Sequence, residues 1–174
     1  THSRSIIIAR TSRPKIRPPR KTGDRVFEAI AIVALLYGIV LVLQSWSTLP
    51  QTIPTHFNAK GEADGWGAKG MIWLLPAISV VMIPMMLWLR RYPWLSNVPW
   101  EINEENALQQ YGLIVRLLSL LTCVVSLLFL ILLYDTISIA GGGTSLLGWW
   151  FMPIFVGGTI APIIWYLIAG FRTR

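Results

Sequence analysis

The sequence predicts an all-α integral membrane fold: four transmembrane helices joined by short loops, with N and C termini cytoplasmic. Three observations carry that reading. Four apolar stretches, Val26–Trp46, Met71–Leu89, Leu113–Tyr134 and Leu146–Phe171, run for 21, 19, 22 and 26 residues. A hydrocarbon core of ~30 Å takes about 20 helical residues, so each can cross it. The ionisable residues inside the stretches are Glu28 and Arg116, both near an end. The remaining basic residues sort by side: Arg4, Arg10, Arg13, Lys15, Arg17, Arg20, Lys21, Arg25, Arg90, Arg91, Arg172 and Arg174 share one side, against Lys60 and Lys69 on the other. Cytoplasmic loops carry such an excess, which accounts for the net charge of +7 and removes nucleic acid from the expected partners.

The chain divides into a basic, proline-containing cytoplasmic arm, 1–25, and a four-helix transmembrane domain, 26–174. In the arm, Pro14, Pro18 and Pro19 prevent a long helix. Its basic residues set topology and attract anionic headgroups, and the arm is expected to lie as a tether on the cytoplasmic face of a neighbouring subunit. No cleavable signal peptide is expected, because the first apolar run is too long and roughly 25 polar residues precede it.

The first span places Ala31, Ala34 and Gly38 on one face, where small residues let helices approach closely in lipid. The outer loop follows. Pro50 and Pro54 extend the chain there, Asn58 to Gly61 is turn chemistry, and Asp64-Gly65-Trp66-Gly67 reads as a second turn. His56, Glu62 and Asp64 could in principle hold a metal, but their spacing matches no defined ligand pattern. A structural loop with Trp66 at the interface is expected, and no metal.

The second span contains Pro76 and Pro84, and the fourth contains Pro153 and Pro162, so both helices are expected to bend. Between the second and third spans, Tyr92, Trp94 and Trp100 read as an interfacial aromatic belt, with partner docking as the alternative. The third helix is expected to begin at Glu104, with Asn103 as N-cap and Glu104 and Glu105 in its first turn. It would run to Tyr134, giving about 46 Å at 1.5 Å per residue and a cytoplasmic projection. Gly157 and Ala161 offer the fourth span a small-residue contact.

Cys123 is the single cysteine and reads as an apolar packing residue. No catalytic, cofactor-binding or metal constellation emerges. The two histidines, His2 and His56, fall on opposite sides, and Gly141-Gly142-Gly143 lacks the Lys and Ser/Thr of a phosphate loop. No histidine lies in a span to ligate haem. The chain is expected not to be an enzyme, with no cofactor beyond lipid contacts. Glu28 and Arg116, at similar depth near the cytoplasmic interface, are a candidate ion pair.

The outer loop reads L-P-x-x-I-P-x-H-F-N-x-x-G-x-x-D-G-W-G-x-K and resembles a membrane family, domain of unknown function 1648. Pro93, Asn97, Pro99, Ile102, Glu105, Asn106 and Tyr111 are similar to that family's second stretch, so the family-like region is about 26–117. The resemblance marks Pro54, His56, Asn58, Gly61, Asp64, Gly65 and Lys69 as family positions without an assigned chemistry. The domain is similar to the N-terminal half of SdpI-type proteins, which give immunity to a secreted toxin and sequester a repressor at the membrane. After the third span the chain departs from that pattern, since their G-x-R-T-P-W-T-like loop has no counterpart here.

The functional expectation is an accessory or structural subunit of a larger respiratory or photosynthetic membrane complex. Its partners would be membrane lipids and protein subunits of that complex. The alternative is an SdpI-like toxin-immunity or signalling protein, and the third reading is a small transporter. The expected location is the bacterial cytoplasmic membrane or a thylakoid-type energy-transducing membrane.

Overall fold

The computed structural model describes residues 13–174. Residues 13–21 are irregular and lead into α1, Thr22–Ser45. A two-stranded antiparallel hairpin follows, β1 Thr52–Phe57 and β2 Ala63–Ala68. A 3-10 segment, Lys69–Trp73, runs into α2, Leu74–Leu89. A short 3-10 turn, Pro93–Leu95, precedes α3, Ala107–Ala140, and the last element is α4, Phe151–Arg172. Four helical segments, Thr22–Ser45, Lys69–Leu89, Ala107–Ala140 and Phe151–Arg172, are long and apolar enough to cross a membrane.

The polarity of the bundle is inverted relative to a water-soluble one. Val33, Leu36, Val81 and Ile164 point outward, while Ser79, Ser119, Thr122 and Ser126 are buried. Ser79 and Thr122 donate to the carbonyls of Leu75 and Leu118, one turn back, so neither hydroxyl is left bare in the apolar interior. α3 is the hub against which the other three helices pack. The small face of α1 serves this contact: Ala31, Ala34 and Gly38 are buried, and a Cβ at Gly38 would lie 3.3 Å from Leu133. Cys123 is a buried free thiol, as a packing residue should be.

The helices differ from the expected spans mainly at their ends. α1 starts four residues before Val26, because Asp24 accepts the Lys21 N–H at 3.2 Å and caps the first turn. α3 begins at Ala107 rather than Glu104 and ends six residues beyond Tyr134. The residue before the helix is Asn106 rather than Asn103, and Glu104 and Glu105 fall in the preceding turn. There the Asn103 side chain accepts the N–H groups of Glu105 and Asn106, and Asn106 accepts the Asn103 N–H in return, all at 3.0 Å. Of the four prolines expected to bend helices, Pro84 and Pro162 are interior, whereas Pro76 and Pro153 lie in the first turn, where a missing N–H costs little.

Two expectations are corrected. The fold is helical with a β-hairpin added, and Asp64 to Gly67 is strand rather than a second turn. The strand forms despite its glycines because β1 needs the space: Cβ atoms at Gly65 and Gly67 would come within 2.8 and 2.9 Å of His56 and Thr55. Ile53 of the hairpin then joins Val42, Leu49, Ile72 and Leu133 in an apolar cluster that closes this end of the bundle.

Candidate functional site

Two polar assemblies sit at opposite ends of the bundle, one at the hairpin and one at the arm. At the hairpin end the turn is built by Asn58, whose Oδ1 accepts the N–H of Lys60 at 2.9 Å and of Glu62 at 3.1 Å. Its amide donates to Glu62 Oε2 at 2.9 Å. Gly61 takes φ +79°, and its backbone abuts the α3–α4 loop: a Cβ there would be 2.6 Å from Gly148 N. His56 Nδ1 and Asp64 Oδ1 meet at 2.5 Å on the surface, with the His side chain 72% exposed. Lys69 Nζ lies 4.6 Å from the centre of the Trp46 ring, and Pro54 is buried. Glu62 bonds to Asn58 and does not join the His56–Asp64 pair, and no group of three or more His, Cys, Asp or Glu able to hold a metal occurs among the described residues.

Asp135, which the sequence reading left just past the third span, locks this end. It is fully buried and accepts Ser145 Oγ–H at 2.7 Å and the Leu146 N–H at 2.6 Å. A buried carboxylate held by such donors fixes the α3–α4 loop against the hairpin turn.

At the arm end the expected Glu28–Arg116 pair is replaced by two others. Glu28 pairs with Arg90, at the end of α2, and accepts Ser119 Oγ–H at 3.0 Å. Arg116 instead reaches Asp24 at 3.3 Å. The reason is helical register: Asp24 and Glu28 lie one turn apart on the same face of α1, and α3 runs parallel to it. Arg116 therefore meets Asp24, and Ser119, one turn on, meets Glu28. Asp24, Glu28 and Arg90 are buried, whereas the Arg116 side chain is 36% exposed.

The arm lies over this cluster. Arg13 donates to the Ser96 carbonyl at 2.5 Å, and the Arg17 guanidinium stands 5.3 Å from the centre of the Tyr92 ring. Residues 13–21 thus rest on the chain's own 90–100 loop; residues 1–12, the rest of the expected tether, lie outside the described residues.

Of the loop aromatics Tyr92, Trp94 and Trp100, the last packs inside the chain itself. Trp100 is buried against Tyr166 and Phe171, and its Nε1–H donates to Gln110 Oε1 at 2.8 Å. Gln110 Nε2 donates to Gly170 O and Thr173 Oγ1, both at 3.0 Å, tying α3 to the end of α4. A Cβ at Gly170 would overlap the Trp100 ring. Pro93 and Tyr111 are buried in this region, and Asn106 Nδ2 donates to Glu101 O at 3.2 Å. Asn97, Pro99 and Glu105 are exposed. Trp94 packs at the margin, edge-on to Tyr92.

The polar loop at the hairpin end also lies within the segment that matches a known family. Residues 29–80 match the family described as Domain of unknown function (DUF1648). The matched segment begins in α1 just after the buried Asp24 and Glu28, takes in the whole hairpin and ends in the first half of α2. It includes every outer-loop position from Pro54 to Lys69 and stops short of the 93–111 stretch. The chain is also 36% identical, over 75 residues, to an uncharacterized protein of Archaeoglobus fulgidus. The alignment covers 38% of this chain and 40% of that relative, so the chain spans well under half of the relative's length. No solved structure matches.

Proposed function

We propose that the chain is a non-enzymatic integral membrane protein, with its arm end in the cytoplasm, that works by binding another membrane polypeptide as an accessory subunit. The supporting observation is the unused face of α4. The helix packs chiefly on α3, through Gly158, whose Cβ position is 3.2 Å from Val124. Gly157 and Ala161, one turn apart, instead point away from the chain, and nothing lies within 4 Å of the Gly157 Cβ position. Small residues at that spacing on a membrane helix admit the close backbone approach of a second helix. The basic arm on the same side as Arg90, Arg91, Arg172 and Arg174 supports the orientation.

The test is co-purification of the full chain in mild detergent with Gly157→Leu and Ala161→Leu. A stoichiometric partner should be lost in both variants, while thermal unfolding of the chain itself stays unchanged because neither side chain meets its own bundle. Retention of the partner in both variants excludes this face. Labelling of a cysteine placed at Thr55 from the non-cytoplasmic side checks the orientation, and labelling from the cytoplasm reverses it. The second reading, an SdpI-like immunity or signalling protein, rests on the DUF1648 segment. A chain that purifies without a partner and protects cells from a secreted toxin would favour it.

A further inference from the structure

The charges at the arm end do not balance. Asp24 and Glu28 are taken by Arg116 and Arg90. Arg17, Arg20 and Arg91 have no carboxylate within ion-pair distance among the described residues. These three and Arg90 converge, with Tyr92 and Val115, on a cleft of about 330 Å³ between the arm and the ends of α2 and α3.

Arg90 is the floor of this cleft. It is 8% exposed, and its Nε has no hydrogen-bond partner among the described residues. A buried guanidinium N–H without an acceptor is costly, so the geometry leaves a place for one. Burial, followed by the nearby Arg20 and Arg91, draws the Arg90 pKa below its ordinary value, against the opposing pull of Asp24. An anion in the cleft would relieve that crowding. The Arg17 guanidinium is held over Tyr92, so part of the ordering cost of binding is already met.

We propose that this cleft binds a phosphate group, supplied by the headgroup of an anionic phospholipid. Guanidinium forks match phosphate oxygens in geometry and charge, and four of them around one cleft exceed what a single carboxylate needs. The cleft lies at the ends of two membrane-length helices, where a headgroup sits. Val115 gives it an apolar wall continuous with α3, which suits the glycerol and first methylenes of a lipid. Basic pockets between membrane helices recognise anionic headgroups in this way. The inference uses the membrane placement of the helices and is independent of any partner on α4.

The experiment takes the full chain in mild detergent and measures lipid retention by native mass spectrometry, alongside thermal unfolding. Phosphatidylglycerol, phosphatidylcholine and inorganic phosphate are added separately. Phosphatidylglycerol should be retained in preference to phosphatidylcholine and should raise the unfolding temperature. Arg17→Gln and Arg20→Gln should each cut phosphatidylglycerol retention about fivefold, the effect of one basic residue near an anionic surface. Arg172→Gln, at the same end but outside the cleft, should not. Both cleft variants change exposed side chains, so their unfolding in the absence of lipid should match the parent and verify the fold. Inorganic phosphate that protects as well as the lipid, with the same loss in the cleft variants, supports the phosphate site and assigns it to a soluble source. Equal retention of the two lipids, retention unchanged in both cleft variants, or no response to any additive overturns the proposal.

Discussion

The two ends of the bundle hold their polar groups in opposite ways. At the hairpin end most partners are near in sequence: Asn58 bonds to Lys60 and Glu62, and Asp135 to Ser145 and Leu146. At the arm end the partners are distant, with α1 carboxylates meeting arginines from α2 and α3. Local bonds close the hairpin turn and the α3–α4 loop, and the one ion pair at this end among the described residues is the exposed His56–Asp64 contact. The long-range set closes only in part and leaves cationic groups around a cleft. The hairpin end, although richer in family-like residues, uses Asn58 and Gly61 for its own shape, and the clustered arginines lie at the other end.

The comparison breaks most visibly at Glu28. Its replacement by Gln leaves Arg90 buried without its counter-charge, and removing one member of a buried pair costs about 3–5 kcal/mol. Arg90→Gln strands Glu28 and should cost a similar amount. In thermal unfolding in detergent, the double variant should lose clearly less than the two single losses combined. The Asp24–Arg116 pair, with its arginine partly exposed, should show a weaker coupling. Simple additivity for Glu28 and Arg90 would mean that they do not interact.

Gly61 offers the matching perturbation at the hairpin end. Gly61→Ala meets two obstacles, a left-handed backbone and the Leu147–Gly148 backbone 2.6 Å away. Gly142 shares the first obstacle, with φ +83°, but has nothing within 4 Å of its Cβ position. Gly142→Ala should therefore lose about 1 kcal/mol, the usual penalty of the left-handed region. Gly61→Ala should lose more, and the difference isolates the contact between hairpin and loop. Equal losses would show that the hairpin turn is not clamped by the α3–α4 loop.

What could be read in advance follows from what each signal measures. Apolar run length reports lipid exposure, so the four spans and the small-residue face of α1 were legible. It is silent about helix beyond the apolar part, which is why Asp24 was placed in the arm and Asp135 just past the third span. Both belong to helices whose polar ends are buried by the rest of the chain. The hairpin was hidden because β2 carries two glycines and no β-branched residue, and what demands the glycines is the opposite strand. Trp100 read as a belt residue because aromatic content marks an interface, while the bond to Gln110 that buries it depends on packing. Glu28 was correctly singled out as a charge needing a partner. The choice between Arg116 and Arg90 needed the relative register of three helices, which no local pattern contains.

The smallest effect is expected at His56, the histidine of the family-like motif and the residue that most invites a catalytic reading. Its contact with Asp64 is short, yet the ring is 72% exposed and the carboxylate side chain 44% exposed. Exposed pairs of this kind contribute about 0–1 kcal/mol, because water screens the attraction and ordering two side chains opposes it. His56→Ala and Asp64→Asn should each change the unfolding temperature by little, and raised salt should remove most of what remains. A loss comparable to that of Glu28→Gln would mean that the hairpin depends on this contact after all. The two ends of the bundle would then be organised by charge alike, and the contrast between them would fail.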